Sequence, residues 1–84
     1  MQVKRTGPSL TIDIHGMRVE QARFRLESLA ESCGADVSSI AVIHGCNSGD
    51  ALKNLVRNDL RCPRIRCVEA GANDGQSIIR LFKK

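Results

Sequence analysis

The sequence predicts an α/β domain of the two-layer α+β type, ordered β-α-β-α-β-β, with two helices on a four-stranded mixed sheet. Three observations predict it. Two strand-like apolar segments, residues 10–14 and 40–43, each run into a His-Gly pair, His15-Gly16 and His44-Gly45. Each pair is followed by apolar residues at three- and four-residue spacing, the period of a helix. The chain then closes on two strand-like runs separated by a turn containing Gly71, Asn73, Asp74 and Gly75.

Residues 1–8 are polar, contain Gly7-Pro8, and read as a loose lead-in. Leu10, Ile12 and Ile14 then alternate with Thr11, Asp13 and His15, a half-buried strand. Residues two apart on a strand share a face about 6.6–7 Å apart, so Asp13 and His15 stand side by side. A first helix is expected over residues 19–33, on the stripe Val19, Ala22, Leu26, Leu29, Ala30 and Cys33. Arg18 falls at its N-cap, where it is a poor capping residue and is free to face a ligand or solvent. Gly34 is the expected C-terminal stop.

Residues 40–43 are apolar throughout, as in a strand covered on both faces. A strand, a helix and a second parallel strand make a right-handed unit. If the two strands are neighbours, both histidines lie at the carboxyl end of the sheet, where ligands of open α/β sheets gather. The loop His44-Gly45-Cys46-Asn47-Ser48-Gly49-Asp50 opens a second helix, about residues 50–60, buried through Leu52, Leu55, Val56 and Leu60. Lys53, Arg57 and Arg61 form a basic row on another side of it, which either tracks phosphates or is simply solvated. After Pro63, residues 65–70 and 77–82 are the last two strands.

Eighty-four residues suit one domain, with its core over about residues 9–83. A chain of this size buries only about 60–65% of its unfolded surface, which favours a shallow site on a large substrate over a deep pocket. Aromatic residues are 2% of the chain, with no Trp or Tyr, which counts against binding by base stacking on aromatic platforms. Phe24 and Phe82 are expected in the core. Residues 1–52 carry five Lys/Arg against six Asp/Glu, and residues 53–84 carry eight against three. A basic second half suggests a polyanionic partner.

No leader and no long apolar run is evident, so a cytoplasmic location, no membrane partner and free thiols are expected. The cysteines Cys33, Cys46, Cys62 and Cys67 contain no C-x-x-C spacing and give no zinc site. Cys46, two residues from His44, reads as an ordinary loop residue more readily than as a nucleophile.

The loop after the second strand offers backbone N–H groups to an anion. It lacks both the G-x-G-x-x-G spacing and the GK[ST] ending, so it predicts neither a dinucleotide nor ATP. It suits one phosphate of a polymer backbone, with Gly45, Asn47, Ser48 and Gly49 as contacts. Histidine can act as acid or base near neutral pH, and a neighbouring carboxylate fixes its tautomer. Asp13, His15 and His44, with the loop amides and Lys53, therefore hold the parts that phosphodiester cleavage needs. Arg18 and Arg57 add cations.

These residues resemble a known family. Ile12-Asp13-Ile14-His15-Gly16-Met17, then Val19-Glu20-Gln21-Ala22, then Val42-Ile43-His44-Gly45 with Gly49, are similar to the Smr (small MutS-related) domain, whose first motif reads Leu-Asp-Leu-His-Gly. Asn73, Gly75 and Ser77 resemble its closing segment. The loop is less glycine-rich than in many members, and Arg18 stands where many carry a capping Thr. The resemblance implies a fold like the C-terminal domain of a bacterial translation initiation factor. It also implies nucleic-acid binding and, in several members, endonuclease activity on DNA or RNA, including messenger RNA on stalled ribosomes. By position it carries function to Asp13, His15, His44, Gly45 and Gly49.

The sequence leaves three readings. The chain is an endonuclease cleaving or nicking RNA or DNA, a non-catalytic nucleic-acid or ribosome-binding module, or a protein-interaction domain. Use of a divalent metal such as Mg stays open, because one carboxylate is thin support for a two-metal site and two histidines suffice for cleavage through a 2′-OH. Oligomeric state is open too.

Overall fold

The computed structural model describes residues 3–34, 36–45, 51–60, 62–71 and 75–82. The strands are β1 (Val3–Thr6), β2 (Ser9–Asp13), β3 (Ser39–Ile43), β4 (Ile65–Ala70) and β5 (Gln76–Leu81). The helices are α1 (Val19–Ser32) and α2 (Ala51–Asn54), the latter running into a π-helical turn (Leu55–Asp59). The sheet has the order β1-β2-β3-β5-β4. Its β2–β3 pair is parallel and the other pairs are antiparallel. The mixed sheet with two helices is the predicted architecture, with a fifth strand added.

That fifth strand is β1, where a loose lead-in was expected. Val3-Lys4-Arg5-Thr6 carries one apolar residue and is exposed along its length, so no hydrophobic pattern announces it. It forms because Gly7-Pro8 closes a two-residue hairpin between the paired Thr6 and Ser9. Gly7 takes φ +59° at the first central position, and proline fixes the second at negative φ, the pairing a type II′ turn requires. Lys4 and Arg5 on this edge also oppose pairing with another sheet.

The core lies between one sheet face and the helices. Leu10, Ile12, Ile14, Ile40, Val42, Ile79 and Leu81 meet Ala22, Leu26 and Ala30 of α1 and Leu52, Leu55 and Val56 of the second helical segment. Each large apolar side chain buried there stabilises the fold by roughly 1.5–3 kcal/mol relative to exposure. Among the described residues no helix is long and apolar enough to cross a membrane.

Both phenylalanines depart from the core expectation. Phe24 is 71% and Phe82 51% exposed. Phe24 stands two residues from both Ala22 and Leu26, about 200° around the helix from the buried stripe. Phe82 follows the buried Leu81 and so falls on the opposite side of the strand. Gly34 also stops α1 differently from the expectation. The C-cap is Cys33 in extended conformation, and Gly34 is not left-handed. A Cβ on Gly34 would lie 2.6 Å from an Asp36 carboxylate oxygen, the end of an exposed side chain that can swing aside, so neither space nor backbone freedom demands glycine there.

The end of α1 is held by Arg64, a buried guanidinium at the entry to β4. Its Nη1 donates to the carbonyls of Ala30 (3.0 Å) and Cys33 (2.7 Å), and its Nη2 to those of Gly34 (2.7 Å) and Val37 (3.1 Å). Nε reaches the Phe82 carbonyl at 3.2 Å. A positive charge at a helix C-terminus complements the helix dipole, and the five carbonyls satisfy a cation that would otherwise be costly to bury.

Candidate functional site

The site begins with a turn. At the end of β2 the Met17 N–H donates to the Ile14 carbonyl at 3.1 Å. His15 and Gly16 occupy the centre of this turn, and Gly16 has φ +79°. A type II turn needs positive φ at its second central residue, which glycine supplies without strain. The His-Gly pair is thus a way of ending a strand and presenting a histidine.

The Asp13 carboxylate receives that histidine twice. Its Oδ1 accepts the His15 backbone N–H at 3.0 Å and pairs with the ring Nδ1. Both hydrogen bonds hold the Asp13 carboxyl below the usual carboxylate range, the side-chain one most strongly. With Nδ1–H on the carboxylate, the neutral ring turns its Nε2 lone pair outward. The side chains are 69% and 41% exposed, so a macromolecule can reach them. Beside them, Lys4, Thr11, Asp13 and Ile43 line a shallow groove of about 180 Å³ on the helix-free face of the sheet.

His44 is not part of that pair. Asp13 is in register with Ile43, so the neighbour of Ile43 projects to the opposite face. There His44 is 1% exposed. Its Nδ1 lies 3.1 Å from the Gly45 carbonyl and its Nε2 2.9 Å from Ser77 Oγ. The backbone around it is anchored by the Gly75 carbonyl, which accepts the N–H groups of His44 (2.9 Å) and Gly45 (3.0 Å). Grouping the two histidines rested on their equivalent strand ends. The register separates them, and register is not visible in one strand's sequence.

Arg18 is exposed at the N-cap of α1, in extended conformation and with no side-chain cap bond. Gly45 is half-buried with φ +77°. Lys53 is half-buried on α2 and Arg57 is exposed on the π turn. Arg57 Nε donates to Ser77 Oγ at 3.3 Å, so this cation is tied to the buried histidine. Asn47, Ser48, Gly49, Cys46 and Arg61 lie outside the described residues. The basic row of Lys53, Arg57 and Arg61 assumes a regular helix, whereas the i to i+5 pattern over Leu55–Asp59 widens its turn. Cys33, Cys62 and Cys67 are free thiols.

Sequence reasoning named Ser77 and Gly75 only as part of a resemblance and gave Arg64 no role. The signal for Ser77 was its place among apolar neighbours on the helix-facing side of β5, where a buried hydroxyl needs a partner.

A search of curated proteins finds no match. The chain is similar to the crystal structure of the Smr domain of Thermus thermophilus MutS2, with 21% sequence identity and a TM-score of 0.65, covering 86% of this chain and 96% of that one. That likeness shows the fold. A family model described as the Smr domain matches residues 12–77, most of the chain and both His-Gly strand ends. The chain belongs to the Smr domain family.

Proposed function

We propose that the chain binds nucleic acid and cleaves or nicks RNA or DNA phosphodiesters at the Asp13–His15 pair. The observation that carries this reading is the exposed imidazole held through Nδ1 by an ionised carboxylate. On RNA, His15 Nε2 takes the proton of a 2′-OH, the 2′-oxygen attacks the adjacent phosphorus, and the 5′-oxygen leaves with a proton from solvent. On DNA the same nitrogen activates a water. Asp13 keeps the tautomer and stabilises the imidazolium that forms. Arg18, Lys53 and Arg57 neutralise phosphate charge. Asn47, Ser48 and Gly49 add backbone donors on sequence alone, whereas the Gly45 N–H is already given to the Gly75 carbonyl and Gly45 contributes its left-handed turn instead.

A second reading, a nucleic-acid or ribosome-binding module without catalysis, is favoured by one observation. With His44 buried, the described edge offers a single reachable imidazole.

The test is cleavage of a labelled structured RNA and a supercoiled plasmid by wild type and His15→Ala, each with and without EDTA. Cleavage that disappears in the variant supports the nuclease and names its substrate, and EDTA reports whether a divalent ion such as Mg takes part. Salt-sensitive binding without cleavage supports the second reading.

A further inference from the structure

Ser77 is fully buried, His44 is 1% exposed, and the chain of contacts they form ends on a surface arginine. Arg57 Nε–H only donates, so at 3.3 Å the Ser77 oxygen accepts. The Gly45 carbonyl only accepts, so His44 Nδ1, 3.1 Å away, carries the ring proton. In the neutral ring Nε2 then accepts the Ser77 hydroxyl hydrogen, 2.9 Å away. Each polar atom of the buried part is used once in the direction its chemistry allows. An imidazolium would direct a second donor at Ser77 and leave its hydroxyl hydrogen without this acceptor.

We propose that Arg57 is a phosphate-binding cation and that Ser77 and His44 are positioning residues acting through it. This rests on the nucleic-acid reading above and specifies how one cation of that surface is held. A guanidinium grips phosphate through a planar fork whose orientation matters, unlike the point charge of a lysine. Tethering Nε to a fixed hydroxyl orders the side chain before the phosphate arrives, which lowers the ordering cost of binding. His44 has both ring nitrogens engaged and its ring out of reach of solvent, so its effect on nucleic acid passes through Ser77.

The experiment is a double-mutant cycle on binding of a fluorescein-labelled single-stranded RNA of mixed sequence, titrated over a range of KCl. Arg57→Gln is expected to weaken binding and to reduce the log–log salt slope by about 0.7, one phosphate on a single strand. Ser77→Ala is expected to weaken binding about 3- to 10-fold, the worth of one hydrogen bond. Ser77→Thr, which keeps the hydroxyl, restores it. In the Arg57→Gln background Ser77→Ala has no further effect. Equal losses in both backgrounds would assign Ser77 a general structural role and overturn the inference while leaving nucleic-acid binding intact. Absence of wild-type binding to RNA and DNA at low salt would instead remove the reading beneath it. Should Ser77→Ala fail to fold, nitrogen NMR of wild-type His44 decides the relay: protonation at Nδ1 supports it, and protonation at Nε2 overturns it.

Discussion

His15 faces Gly45, not the second histidine: a Cβ built on Gly45 would lie 3.4 Å from the His15 Cβ. The two His-Gly pairs look equivalent in the sequence and are offset by one residue in the sheet. Because side chains alternate, this offset sends His15 to the open face beside Asp13 and His44 into the helix-packed face. One imidazole is left exposed beside a carboxylate and the other buried against Ser77.

The first prediction concerns the exposed imidazole. His15→Ala should lower cleavage about 10²- to 10⁴-fold, the usual worth of a general base. Asp13→Asn should lower it about 10- to 100-fold, as for other groups that orient a functional histidine. Both should leave RNA affinity nearly unchanged. Initial rates at saturating substrate, with binding measured separately, check it.

Acidic pH should act through carboxylates held by cations and donors. Asp13 is lowered first by the His15 ring and then by the His15 N–H, and Asp36 first by the Arg5 guanidinium. A carboxyl lowered in the folded state contributes stability that is complete above its unfolded value, about 3.9. That contribution is lost as pH falls through the lower folded value. Carboxyl carbon shifts should show both midpoints below 3.9. His15→Ala should raise the Asp13 midpoint part of the way back, since the residue 15 N–H still donates to the carboxylate, and leave Asp36 where it was.

Most of the fold was legible because β2 and α1 carry a hydrophobic period, β3 is a continuous apolar run, and β4 and β5 are strand-like runs on either side of a glycine-containing turn. The strand β1 was not, since its pairing rests on backbone bonds and a Gly-Pro turn. Asp13 beside His15 was legible because spacing within one strand fixes a face. The placement of His44, the partnership of Ser77 with Arg57 and the reach of Arg64 were not. Each depends on register between segments more than 15 residues apart.

Alanine at the glycine of either His-Gly pair should destabilise the fold. Gly16→Ala and Gly45→Ala each force an L side chain to positive φ, at about 1–2 kcal/mol. A Cβ at Gly16 meets nothing within 4 Å beyond its chain neighbours, whereas one at Gly45 meets His15 of the neighbouring strand end. Denaturant unfolding should therefore show losses of this size in both variants. The new methyl of Gly45→Ala should also displace the His15 ring resonances, through a contact from the neighbouring strand end.

Phe24, at 71% exposure, tests the boundary of the core. Phe24→Ser should change stability by no more than about 0.5 kcal/mol, as for other surface positions. A loss of core size, measured by the same unfolding, would return Phe24 to the interior.

Arg64 should be the most sensitive polar position among the described residues. Its guanidinium reaches the last turn of α1 through Ala30 and Cys33, the following loop through Gly34 and Val37, and the end of β5 through Phe82. The contact with Phe82 is reciprocated, since the Phe82 N–H donates to the Arg64 carbonyl at 2.8 Å. Methionine matches much of the side chain's volume but leaves five carbonyls without this donor. Several partly buried unpaired acceptors, at about 1–3 kcal/mol each before relaxation and water entry, put the loss for Arg64→Met at about 3 kcal/mol or more. Lysine keeps the charge but has three donors on one atom and cannot span the carbonyls, so Arg64→Lys should recover only part of the loss. Chemical denaturation of the three proteins measures this order. Hydrogen exchange should show the added opening concentrated at the C-terminal turn of α1 and at the end of β5, the two segments this one side chain ties together.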